Sequence, residues 1–190
     1  MTQSNENASA MLREEHQVIL RVIDVIKKLV VRARAGQGFE KDAFRQCVSF
    51  LKFFADACHH AKEEDLLFPV LESRGIPKEN GPIGMMLYEH TLARGFTASM
   101  AEALDSHDQG NEKAVEQCLQ AAEQYAELLT GHIFKEDNVL YNMGDQVLTP
   151  QDHQTLCNQY CEVGCKSFGG KKREELQRLA DDLCEQWISD

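Results

Sequence analysis

Three observations predict an all-α protein, an up-down-up-down four-helix bundle with two extra C-terminal helices packed on it. Four long stretches space their apolar residues at helical intervals and are joined by short connections rich in Gly, Pro, Ser and Asn. Only four tyrosines and one tryptophan, with few Val-Thr-Ile alternations, argue against β-structure. One ten-residue pattern occurs twice, each time in phase with a helical apolar face.

A chain of 190 residues suits one domain with an appendage. A net charge of −11, spread along the chain, argues against a nucleic-acid partner because nothing here would neutralise phosphates. Met1 to Ser9 is polar and lacks the apolar core of a secretory signal. No apolar run approaches the roughly 18 residues of a membrane span. Seven scattered cysteines, an odd number, read as reduced thiols, so a cytoplasmic location is expected.

Residues 1–8 read as a disordered N-terminus, 9–145 as the bundle and 146–190 as a helical extension. The first helix starts near Ser9 on Leu12, Ile19, Leu20, Ile23, Ile26 and Val30, with His16 in phase, and ends near Ala35 before Gly36 and Gly38. The second spans about 40–72 and carries Phe44, Val48, Leu51, Ala55, His59, Leu66 and Val70 on one face; Gly75, Pro77, Gly81 and Pro82 stop it. Pro82 opens the third, whose face is Ile83, Met86, Leu87, His90, Thr97, Met100 and Leu104. Asn111 caps a fourth with Val115, Leu119, Ala122, Leu129, His132, Glu136 and Leu140. Thr149-Pro150 starts a fifth helix to about 165, Ser167 to Gly170 breaks the chain, and a sixth runs over about 171–188 on Leu176, Leu179, Leu183 and Trp187.

The repeat reads His59-His60-Ala61-Lys62-Glu63-Glu64-Asp65-Leu66-Leu67-Phe68, then His132-Ile133-Phe134-Lys135-Glu136-Asp137-Asn138-Val139-Leu140-Tyr141. A His and a Glu four apart share a helix face, and imidazole with carboxylate aimed at one point suits a first-row transition metal. Each bundle helix also offers one histidine inward: His16, His59, His90 and His132. Buried without a cation, four imidazoles and two carboxylates would each cost on the order of 1–3 kcal/mol. A metal pair removes that cost.

Arg13-Glu14-Glu15-His16, His59-x-x-x-Glu63 followed by Leu67-Phe68-Pro69, Glu89-His90 followed by Arg94, and His132-x-x-x-Glu136 resemble the hemerythrin-like (HHE cation-binding) family over about residues 9–145. The resemblance implies a non-haem, oxo- or hydroxo-bridged di-iron centre, two Fe ions held by His16, His59, Glu63, His90, His132 and Glu136, the two glutamates bridging. Mn or Zn also suits these donors. Oxygen-carrying members carry a His-x-x-x-His pair on the third helix, where this chain has Met86, and His-x-x-x-x-Asp on the fourth. Asp137 has that second spacing, but the repeat favours Glu136.

A fifth nitrogen could come from His60, or an oxygen from Glu89. His60, however, lies about 100° round the helix from His59, and starting the repeat there loses its Lys, acid and apolar matches. Met86, Leu87, Phe54 and Phe134 are candidates to line a ligand pocket or plain core. Cys157, Cys161 and Cys165, spaced by four, with Cys184, read more simply as small apolar residues than as a redox stripe, and Cys58 as core. His107 and His153 read as surface residues, Lys62 and Lys135 as a solvated face. The expected function is binding of O2 or a related small ligand (NO, peroxide) for sensing or scavenging, with a separate protein partner if it is a sensor. The alternatives are a peroxide-consuming or oxidase enzyme, or an iron-level sensor.

Overall fold

The computed structural model describes residues 7–188, so most of the expected disordered N-terminus, residues 1–6, lies outside it. Asn7 starts the first helix, its Oδ1 accepting the Ala10 N–H at 2.9 Å. That helix, α1 (Ala8–Arg34), buries Leu12, Ile19, Val22, Ile23, Ile26 and Leu29. It stops where Gly36 and Gly38 take positive φ.

The second helix, α2 (41–73), is α-helical over Lys41–Phe50, widens into π-helical turns over Leu51–His60 and Glu63–Leu67, and returns to α over Phe68–Ser73. The widening is visible in single bonds: the Ala61 N–H reaches Asp56 O and the Phe68 N–H reaches Glu63 O, each five residues back. A π turn rotates each residue less than an α turn, so the buried face slips. Leu67 and Leu71 are buried where Leu66 and Val70 were expected, and those two are only partly covered.

Helix α3 (Pro82–Asp108) opens on the expected proline. Gly81 before it has no room for a side chain, since a Cβ would stand 2.2 Å from Pro77 O. Helix α4 (114–147) runs α over Ala114–Lys135, π over Glu136–Leu140 and α over Tyr141–Val147. It begins three residues after Asn111, whose Oδ1 accepts the Lys113 N–H at 3.2 Å in the preceding turn instead of capping the helix. Helix α5 (Pro150–Gly164) has a complete capping box between Thr149 and Asp152. The expected break at 167–170 contains a small hairpin, β1 (Ser167–Phe168) against β2 (Lys171–Lys172), so α6 starts later, at Arg173–Trp187.

In the bundle α1 packs on α2 and α4, and α3 on α2 and α4. The extension covers it from outside: α5 lies on α1 and the second π turn of α2, α6 on α1 and the first half of α2. Two apolar clusters form. One holds the Ile19-to-Val30 stretch of α1 with Phe44, Phe54, Leu129 and α6; the other holds Leu12, Leu67, Phe68, Met86, Tyr141 and α5. Between them runs a belt of buried polar residues. No helix among the described residues is long and apolar enough to cross a membrane.

Candidate metal centre

The belt is built where the backbone widens. Glu63 and Glu136 each begin a π turn, and the Tyr141 N–H closes the second by reaching Glu136 O. Both halves of the repeat therefore present their carboxylate from the same backbone feature, a rare one that recurs at functional sites. His16, His59, His90, His132, Glu63 and Glu136 are all at most 1% exposed. The structure brings the six together.

It also adds a seventh. His60, which the repeat argued against, is 2% exposed and stacks on the His90 ring at 3.8 Å. The 100° objection holds for an α-helix; His59 and His60 close the ten-residue π stretch, whose smaller rotation per residue lets both rings face inward. The donor atoms fall into two groups, each within 4.8 Å: His60, Glu63, His90 and His132, and His16, His59, Glu63 and Glu136. Five imidazoles thus divide three and two. Glu63 Oε2 lies 3.6 Å from His59 Nε2 and 3.4 Å from His90 Nε2, and Glu136 Oε2 lies 3.2 Å from both His16 and His132 Nε2. Each carboxylate faces one imidazole of each group.

Every one of these imidazoles is held from behind through Nδ1. His16 meets Asp137 at 2.7 Å, His59 meets Glu15 at 3.1 Å, His90 meets Glu64 at 2.7 Å, His132 meets Glu89 at 2.9 Å and His60 meets Asp56 at 3.4 Å. An ionised carboxylate only accepts, so it keeps a proton on Nδ1 and turns Nε2 inward, where it can take a proton or a cation. Glu89 and Asp137, candidates from sequence for extra donors, stand in this outer ring.

The carboxylates are paired in turn. Lys62 donates to Glu15 at 2.5 Å, Lys135 pairs with Glu89, and Arg94 reaches both Asp56 and Glu64. Lys62, expected on a solvated face, is 3% exposed, and Lys135 keeps 41% of its side chain in solvent while pairing. The sequence signal was present: a Lys before each Glu in both copies, and an acid before His16 and His90.

The inward atoms are the reverse. His16 Nε2, Glu63 Oε2 and both Glu136 oxygens are buried without a hydrogen-bond partner. They stand close yet misaligned, because they point at shared centres more than at one another. His90 and His132 Nε2 lie 3.0 Å apart, which requires a proton between them. Burial lowers the His132 pKa, but the nearby charge of Glu136 and the bond to Glu89 outweigh it and raise it to about 10. His16 is likewise lowered by burial but raised to about 9 by Asp137 and Glu136. His59, His60 and His90 are held below the usual imidazole value by burial. Burial and the neighbouring Glu136 charge push Glu63 well up, whereas His132 and His16 overcome burial to hold Glu136 well down. The raised His16 and His132 thus supply positive charge beside Glu136 where a cation would.

Tyr141 closes one side, stacking on His16 at 5.5 Å and donating its phenol O–H to Glu63 Oε1. Of the expected pocket residues, Phe54 and Met86 are buried and Leu87 partly so, but Phe134 is 65% exposed, because its neighbours His132, Ile133 and Glu136 take the inward positions. His107 is half-buried, edge-on to Phe39 on the terminal turn of α3, and the half-buried His153 Nδ1 accepts the Ala8 N–H; neither belongs to the donor groups. No disulfide joins the seven cysteines. Cys58 and Cys157 are buried, whereas Cys161 on α5 and Cys165 just past its end are exposed, against their expected burial.

A comparison with curated proteins gives no match. A family model does match, the hemerythrin HHE cation binding domain, over residues 7–143, from the cap of α1 to the last turns of α4. With that span, the helical bundle and the paired His/Glu clusters in view, the chain belongs to the hemerythrin HHE cation-binding domain family.

Proposed function

We propose that the protein holds two iron ions through His16, His59, Glu63, His90, His132 and Glu136, with His60 as a seventh donor, and binds O2 or a related small ligand for sensing or scavenging. The single observation that carries this reading is the set of buried inward atoms without partners, amid imidazoles each held from behind by a carboxylate. An apolar core would be cheaper than such a cluster unless a cation satisfied it. The donor set fits: neutral imidazoles and carboxylates suit iron, and Mn or Zn by the same chemistry.

His60, His90 and His132 with Glu63 would hold one ion and His16 and His59 with Glu63 and Glu136 the other, where having one imidazole fewer would leave a position for a small ligand. A ferrous pair with such a position supplies reversible binding of O2 or NO, or reduction of peroxide. The chain's own residues do the rest. The Nδ1 partners fix each ring's orientation, the two apolar clusters above and below the belt exclude water, and the Tyr141 phenol donates to Glu63. The unbridged cysteines fit a reducing, cytoplasmic setting.

The test is metal content of anaerobically iron-loaded protein, followed by its visible spectrum as air is admitted. Two irons per chain with a bridged di-iron charge-transfer band that reverses on deoxygenation is the expected result. One metal per chain, or none, refutes the paired centre; consumption of O2 or peroxide in excess of the iron would favour turnover over binding.

A further inference from the structure

Helix α5 carries a buried group that the centre described above does not use. Tyr160 is 1% exposed, and its hydroxyl is sealed from solvent without a hydrogen-bond partner. A buried phenol O–H is normally paired, so an orphan of this kind is a donor waiting for an acceptor. Tyr160 lies beyond the family match, which ends at residue 143.

Its surroundings place it on the two-imidazole side. The Tyr160 ring packs in the same apolar cluster as Leu12 and Tyr141, and Tyr141 stacks on His16. It lines a cavity of about 540 Å³ at the seam between bundle and extension, together with Glu15 and Lys62, the pair behind His59. Arg173 from α6 reaches the same Glu15 at 3.3 Å and lines the cavity too. The Tyr160 phenol lies within the field of both Glu63 and Glu15. The cavity reaches the outer ring at the Glu15–Lys62 pair behind His59, and the Tyr160 side chain forms part of its wall.

We infer that Tyr160 is the hydrogen-bond donor to the small ligand held at the two-imidazole position, a specificity residue that the extension contributes to the family's bundle. This rests on the paired centre proposed above. A donor at that position would favour molecules that accept a hydrogen bond at their free end, such as O2, peroxide or azide, over those that cannot.

Azide is the probe. In iron-loaded protein, Tyr160→Phe leaves two irons per chain and weakens azide about tenfold, the size of one hydrogen bond. The bound azide stretch shifts in D2O in the wild type, and the shift vanishes in the variant. In metal-free protein the same variant melts at the wild-type temperature or above, because the lost hydroxyl had no partner. Unchanged azide affinity with two irons retained overturns the inference and leaves the centre standing, as does a clearly lowered metal-free melting temperature. A wild-type chain that loads no metal pair overturns both.

Discussion

His60→Ile is the most informative single change, because the second copy of the repeat already has Ile133 at the matching position. The substitution affects two measurements differently. In metal-free protein His60 contributes little: its ring is 2% exposed, and its one hydrogen bond, to Asp56, is 3.4 Å long. Losing that bond costs about 0.5–1.5 kcal/mol. Isoleucine returns on the order of 1 kcal/mol of apolar burial. Asp56 is not orphaned, since Arg94 stays 2.7 Å away. The net change is within about 1 kcal/mol, which moves the melting temperature of a chain this size by about 2–4 °C at most. The metal responds far more. The position served by His60, His90 and His132 loses one of three imidazoles. That exceeds the roughly 10–100-fold loss typical of removing an outer partner. Circular dichroism melts of metal-free protein and a chelator-competition titration of loaded protein read the two effects. Unchanged chelator titration with two metals retained refutes His60 as a donor. A large metal-free destabilisation alongside it would make the residue purely structural.

Other consequences are open to direct measurement. Metal uptake at pH 7 should release at least two protons per chain, from His16 and His132, read with an indicator in weak buffer; no release would contradict the protonated belt. Because both imidazoles are raised in the folded chain, the metal-free stability they contribute is fully present below about pH 6.5. It is lost as pH rises through about 9 to 10, so metal-free melts should fall over that window. Glu89→Gln should weaken the metal about 10–100-fold by loosening His132, while Lys135→Ala, half in solvent, should change it much less; equal effects would contradict the ordering. Gly169→Ala should lower stability by about 1–3 kcal/mol, since φ is +57° and a Cβ would meet the Phe53 ring at 2.3 Å; an unchanged melt would refute this.

Much of this was legible in residue order. Helix count, the four inward histidines and both glutamates follow from periodicity and the repeat, because burial and metal ligation both require residues on one face. His60 was not legible, since an α-helical wheel rules it out and only the π stretch reverses that; the His59-His60 doublet was the sole hint. Lys62 was misplaced for a related reason: a lysine one residue before a ligand looks solvated until Glu15, from another helix, is seen to meet it. Likewise Phe134 looks like core by composition, but its neighbours claim the inward direction. The orphan hydroxyl of Tyr160 has no sequence signature, because it depends on α5 folding back over α1.

The mismatch of His60 with Ile133 in an otherwise matched repeat has one more effect. Two half-sites of the same donor kinds would share scarce metal indifferently, and a chain offered one ion would be a mixture. Here each group offers four donors but of different kinds, three imidazoles with Glu63 against two imidazoles with Glu63 and Glu136. On the proposed reading an ion that favours nitrogen would take the first group, so a singly loaded chain would be one defined species, and a second ion of a different element could be added to it by order of addition alone.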